Sequence, residues 1–214
     1  MKKINYFDLG LYKDGLELNE FNKNILPQFN IPYHCYGIEA EKEYFDDCEK
    51  KFKNKEKISL YNLAINDKNE KIKLYKASNP LGNSLFINKS NVIKNKFTLV
   101  NGITFSQFLL DNKIDITNSI NICKINIEGA EIYLFEDLIK NDLLKYFHFF
   151  LGTGHDLRKI PDKVEDGTYE KYLNLLEKYK IDLSTYYVVG ATNSVSNEFI
   201  INKIKNIIIK KCKS

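Results

Sequence analysis

The chain has 214 residues, 43% of them hydrophobic, and a formal net charge of +4. That length suits one α/β domain rather than two, with a sizeable core drawn largely from 14 Tyr and 14 Phe. The mild charge permits an acidic partner but argues against nucleic acid, which requires a basic stripe. Cys35, Cys48, Cys123 and Cys212 are scattered without a CxxC pair, as expected of free thiols in a reducing, cytoplasmic compartment. Residues 1–6 lack the apolar run of a signal peptide, and no window is apolar enough to span a membrane.

Strand and helix patterns alternate along the chain. Residues 5–10 form a short apolar run ending in Asp8-Leu9-Gly10, and a helix follows from Asp14 with Leu18, Phe21 and Ile25 on one face. Residues 33–38 read as a second strand and 41–52 as a helix carrying a Tyr44, Phe45, Cys48, Phe52 stripe. Residues 58–65 read as a third strand. Residues 71–75 alternate as a half-exposed strand, with Ile72 and Leu74 set against lysines. Residues 76–102 read as a long loop with at most a short strand, and loops of that length are often functional. Residues 104–110 predict a helix capped by Thr104, with Gln107 three residues on.

The strand through Ile122, Ile125 and Ile127 is apolar enough to be covered on both faces. It ends in Lys124, Asn126, Glu128 and Glu131, and a Gly129-Ala130 pair opens a helix over 131–139. A fifth strand is predicted over 146–151, a Gly152-Thr153-Gly154-His155-Asp156 loop after it, and a helix over 168–180. Residues 186–189 and 198–202 read as a closing hairpin. The lysine- and isoleucine-rich tail from 203 is left open between strand and helix. These units predict a mostly parallel sheet with helices on both faces and one antiparallel strand at the end, in a single domain over 1–214.

In such sheets ligands bind beyond the carboxyl ends of the strands, so the chemistry is sought there. Asp8-Leu9-Gly10-Leu11 joins the first strand to the first helix; it is not Gly-x-Gly-x-x-Gly, and it also reads as an ordinary turn. Glu39, just after the second strand, can accept hydrogen bonds from ribose hydroxyls or can serve as a helix N-terminal carboxylate. Asn66 and Asp67 suit an adenine edge, although Asn-Asp-Lys-Asn is also plain turn chemistry. Glu128 and Glu131 lie three apart in the first turn of a helix, where glutamates also serve as dipole partners. His155 beside Asp156 is a candidate base in a glycine-flanked loop that also reads as plain surface. With three histidines and scattered cysteines, no metal constellation emerges.

Taken in order, Phe7-Asp8-Leu9-Gly10, Tyr36-Gly37-Ile38-Glu39-Ala40, Asn62-Leu63-Ala64-Ile65-Asn66-Asp67, Gly82-Asn83-Ser84-Leu85 and Lys124-Ile125-Asn126-Ile127-Glu128-Gly129-Ala130-Glu131 resemble the FkbM-type methyltransferase family over about residues 4–150. The resemblance implies a class I methyltransferase Rossmann-like fold, with a seven-stranded sheet whose last strand is reversed. It implies S-adenosylmethionine as cofactor and O-methylation of a hydroxyl on a sugar, glycan or related small molecule. By position, Asp8, Gly10 and Leu11 would line the cofactor's amino-acid end, with Glu39 and Ala40 at the ribose. Ala64, Ile65, Asn66 and Asp67 would flank the adenine. Lys124, Asn126 and Glu128 would face the methyl group and acceptor, and Glu128, Glu131 and His155 are the candidate bases.

The first turn departs from the family's Asp-Val-Gly-Ala-Asn-x-Gly, and Asn126 stands where relatives carry Asp. These departures motivate a second expectation, a binding or scaffold protein that kept the fold and lost transfer. A third, RNA ribose methylation, rests on Lys124 with its neighbouring glutamates.

Overall fold

The computed structural model describes residues 3–188 and 193–213. A six-stranded, wholly parallel sheet forms the centre, built from β1 (Ile4–Leu9), β2 (Tyr33–Ile38), β3 (Ile58–Tyr61), β7 (Ile120–Ile125), β8 (Phe147–Gly152) and β9 (Leu183–Ser184). Their order is β3-β2-β1-β7-β8-β9. Counted within the sheet this is 3-2-1-4-5-6, the doubly wound arrangement whose crevice opens where the order reverses, between β1 and β7.

Strand β1 explains why the sheet is buried twice. Tyr6 packs into one core with Leu18, Phe21, Cys35, Ile122 and Ile200. Phe7 and Leu9 point the other way, into a core with Phe105, Phe108, Ile125, Phe135 and Tyr172. Helices α1 (Leu16–Glu20), α2 (Lys42–Phe52) and α7 (Asn197–Lys213) cover the first face. The second is covered by α3 (Phe105–Asp111), α4 (Glu131–Lys140) and α6 (Thr168–Lys178). Alternate residues of a strand point to opposite faces, so a strand apolar at every face position needs helices on both. Thr104 caps α3 as its sequence predicts, its side chain accepting from the Gln107 N–H at 3.3 Å.

Between β3 and α3 lies an insert: β4 (Ala64–Ile65), β5 (Lys71–Ala77) and β6 (Val92–Ile103), a three-stranded sheet of order β4-β6-β5. Two expectations are corrected here. The single strand over 58–65 is split, because the Asn62 amide donates to the Glu39 and Ala40 carbonyls at 2.9 and 3.1 Å and turns the chain out of the central sheet. The long loop over 76–102 gives way from Val92 to the long strand β6, held by the antiparallel ladder from Lys71↔Asn101 to Tyr75↔Phe97. Its residues 93–99 are all exposed; Ile93, Phe97 and Leu99 alternate there with Lys94, Lys96 and Thr98, a strand period interrupted only at Asn95.

The closing hairpin is also corrected, and with it the seventh strand and the antiparallel last strand. β9 pairs parallel with β8, and residues 198–202 lie in α7. Ile200 and Ile204 are fully buried at helical spacing, so one apolar stripe runs through the segment and the tail alike. Val189 lies outside the described residues, as does the side chain of Cys212. Cys35, Cys48 and Cys123 are buried free thiols. A short helix, α5 (Pro161–Glu165), was not expected from sequence. No helix among the described residues is long and apolar enough to cross a membrane.

Candidate ligand cleft at the strand ends

The crevice between β1 and β7 is built on one close crossing. Gly10 leaves β1 with φ +86°, and a Cβ there would collide with the Asn126 carbonyl. Its N–H donates to the Ile38 carbonyl at 2.9 Å, and the Asn126 N–H donates to the Leu9 carbonyl at 2.8 Å. The turn is thus stitched to both neighbouring strands, and only glycine fits.

Glu39 organises the next layer. One carboxylate oxygen accepts the Tyr12 N–H and the other the Glu41 N–H, each at 2.8 Å. Tyr12 has φ +56°, and its ring meets Tyr44 edge-on at 4.8 Å. Glu39 therefore folds the long, bulky first turn around itself. Burial pushes its carboxyl up to about 7, against the pull of the Tyr12 and Ala40 amides and of Lys124.

The cleft is bounded by Gly10, Tyr12, Glu39, Ala40, Ala64 and Ile65 from the strand ends, by Leu81 and Ser84 from the insert, and by Asn126 and Glu128. Its volume is about 80 Å³. Asn126 is oriented by Thr153, whose hydroxyl donates to the amide oxygen at 2.9 Å. Glu128 sits at φ +55° and pairs with Lys89, a fully buried lysine of the insert whose ammonium also donates to the Gly82 carbonyl at 3.0 Å. Ser84 donates to the Glu128 carbonyl at 2.7 Å. Burial, then Asp156, raises the Glu128 carboxyl, while Lys89 holds it down.

Several residues expected at the cleft lie elsewhere. Asp8 and Lys124 form a buried ion pair at 3.0 Å beneath Gly10, and the lysine also donates to the Gly10 carbonyl at 2.8 Å. Burial lifts the Asp8 carboxyl to about 6 although Lys124 opposes it. Burial likewise works against the Lys124 charge, but Asp8 and Glu17 prevail and raise its pKa. Leu11 points into the core, where a Cβ on Gly37 would meet it at 2.8 Å. Glu131 starts α4 fully buried, and no side chain among the described residues donates to either carboxyl oxygen. Burial, then Asp156, pushes it up to about 8. His155 and Asp67 are exposed and line no part of the cleft; Asn66 is spent on its own turn, donating to the Lys68 carbonyl at 3.2 Å.

Sequence reasoning missed Tyr12, Lys89 and Ser84. The Gly82-Asn83-Ser84-Leu85 segment was a usable signal for Ser84. Nothing local marks Lys89 among so many lysines, because its burial depends on Glu128, 39 residues away.

A buried carboxylate after the second strand, small residues beside it and a glycine crossing at the switch point suit a nucleoside with free ribose hydroxyls. Each Glu39 oxygen accepts one amide and retains lone-pair capacity for a hydroxyl. The donor set therefore fits the nucleoside half of S-adenosylmethionine. The volume is well below the roughly 300 Å³ of small ligand sites, so admission requires Tyr12, Tyr44 or Leu81 to swing aside.

Fold and cleft together define an α/β protein with a parallel six-stranded central sheet, compatible with a Rossmann-like fold, and a sheet insert beside the cleft. Compared with known proteins, the chain matches no family model, no curated protein and no solved structure.

Proposed function

We propose that the chain is an S-adenosylmethionine-dependent O-methyltransferase, acting on a hydroxyl of a sugar, glycan or related small molecule. The observation that carries the reading is Glu39, a buried carboxylate at the end of β2 that lines the cleft beside the Gly10–Asn126 crossing. A nicotinamide dinucleotide is disfavoured, since the first turn has no Gly-x-Gly-x-x-Gly cradle for a pyrophosphate. The motif resemblance to FkbM-type enzymes supports the same choice.

When bound, the cofactor supplies a methyl group already activated by its sulfonium, which leaves the protein to position and deprotonate the acceptor. Glu39 would hold the ribose hydroxyls, and Ala40, Ala64 and Ile65 would flank the nucleoside. Of the candidate bases, only Glu128 lines the cleft. Lys89 pairs with it, which fixes the carboxylate and opposes the upward pull of burial and Asp156. Asn126 contributes a neutral, oriented amide toward the acceptor side.

Calorimetry with S-adenosylhomocysteine tests this reading. The wild type is expected to bind, and Glu39→Ala to weaken binding by at least about tenfold, the worth of hydrogen bonds to a charged group. No binding by the wild type at millimolar ligand favours the second reading, a protein that keeps the fold without transfer. The tight cleft and a Glu39 already engaged by Tyr12 and Glu41 are what favour it. Ribose methylation of RNA gains no support, because the Lys124 that motivates it is buried against Asp8.

A further inference from the structure

All 28 acidic residues lie outside residues 71–110, a stretch that holds Lys71, Lys73, Lys76, Lys89, Lys94 and Lys96. Two of these are neutralised from elsewhere, Lys76 by Glu41 and Lys89 by Glu128. The other four are exposed and make no ion pair among the described residues.

The ribbon of β5 and β6 is two-faced. Leu74 turns inward and lines the cleft. The opposite face carries the pairs Lys71↔Asn101, Lys73↔Leu99 and Tyr75↔Phe97. Leu99 is 65% exposed and Phe97 43%, with the Lys73 ammonium 4.4 Å from the Phe97 ring centre. Single exposed apolar side chains are ordinary, but here Tyr75, Phe97 and Leu99 form a patch flanked on the same face by the unpaired Lys71 and Lys73, while Lys94 and Lys96 alternate to the other face.

We propose that this outward face docks the protein on an anionic lipid bilayer. Aliphatic and aromatic side chains beside the Lys71 and Lys73 ammonium groups suit acyl chains beneath headgroup phosphates. Nucleic acid fits less well, because Leu99 offers nothing to stack on a base and the chain's single arginine, Arg158, lies outside the insert. A second copy of the chain fits less well too. Antiparallel pairing of two β6 edges about Asn95 would set Lys94 against Lys96. The proposal does not depend on the methyl-transfer reading.

Co-sedimentation of the full chain with phosphatidylcholine vesicles, with and without phosphatidylserine, tests it. Binding is expected only with phosphatidylserine and is released by high salt. Lys71→Glu with Lys73→Glu should weaken it by about tenfold or more. Phe97→Ser with Leu99→Ser should abolish it while circular dichroism stays unchanged; if that variant misfolds, the lysine pair decides. Failure of the wild type to bind, equal binding to both vesicles, or wild-type binding by the lysine variant overturns the proposal. So does tighter capture by poly-uridine RNA at the same salt, or a wild-type dimer that Leu99→Ser converts to monomer.

Discussion

Glu131 and Gly10 show how single residues commit this molecule. Glu131, Glu39 and Asp8 all have carboxyls raised by burial, to about 8, 7 and 6. A raised acid favours the protonated folded state, so its stabilisation is complete below the unfolded value near 4.5 and lost as pH climbs through the folded value. Thermal melts should therefore show the protein less stable at mildly alkaline than at mildly acidic pH. Glu131→Gln should flatten that slope and raise the alkaline melting temperature above wild type. Gly10→Ala puts a Cβ into the Asn126 carbonyl at φ +86° and should cost roughly 3 kcal/mol or more in urea unfolding. The glycine could be picked out from its place after a strand, and Glu39 likewise. The burial of Asp8, Lys124 and Glu131 could not, because a charged residue at a strand end reads the same in sequence whether it faces a ligand or a counter-charge beneath the turn.

At the scale of elements, two of the corrected readings, those of β6 and α7, have different causes. Strand β6 carries an alternation of Ile93, Phe97 and Leu99 with Lys94, Lys96 and Thr98 that Asn95 interrupts, and its pairing with β5 makes it a strand. Helix α7 has the rhythm, but the short window 198–202 with its β-branched isoleucines also suits a strand. Only burial of Ile200 together with Ile204 resolves it. Ile204→Ala should destabilise by about 2–5 kcal/mol, measured by urea denaturation. The insert is pinned to the core through Lys89 and Glu128. Lys89→Ala leaves the Glu128 carboxylate largely buried and unpaired, and should cost about 3 kcal/mol or more. The double variant Lys89→Ala with Glu128→Ala should cost clearly less than the sum of the two singles, a coupling that a double-mutant cycle reads directly.

For the whole molecule, a doubly buried parallel sheet and a solvent-exposed ribbon should differ in local stability. Hydrogen exchange is expected to be slowest in β1 and β7 and much faster over 93–99 of β6, where the ladder has water on both faces. Uniform protection across both sheets would contradict that division. The alternation of strands and helices, the parallel core and the gathering of polar side chains at the strand ends were determined by the sequence alone. Periodicity and turn residues are local, and a chain segment carries them whatever surrounds it. The tertiary structure decided the six-strand order, the ribbon, the pairing of Lys89 with Glu128, and the retreat of Asp8, Lys124 and Glu131 from the cleft. Each depends on contacts between residues far apart in sequence, and desolvation then chooses which charges are paired, which are neutral and which reach a ligand.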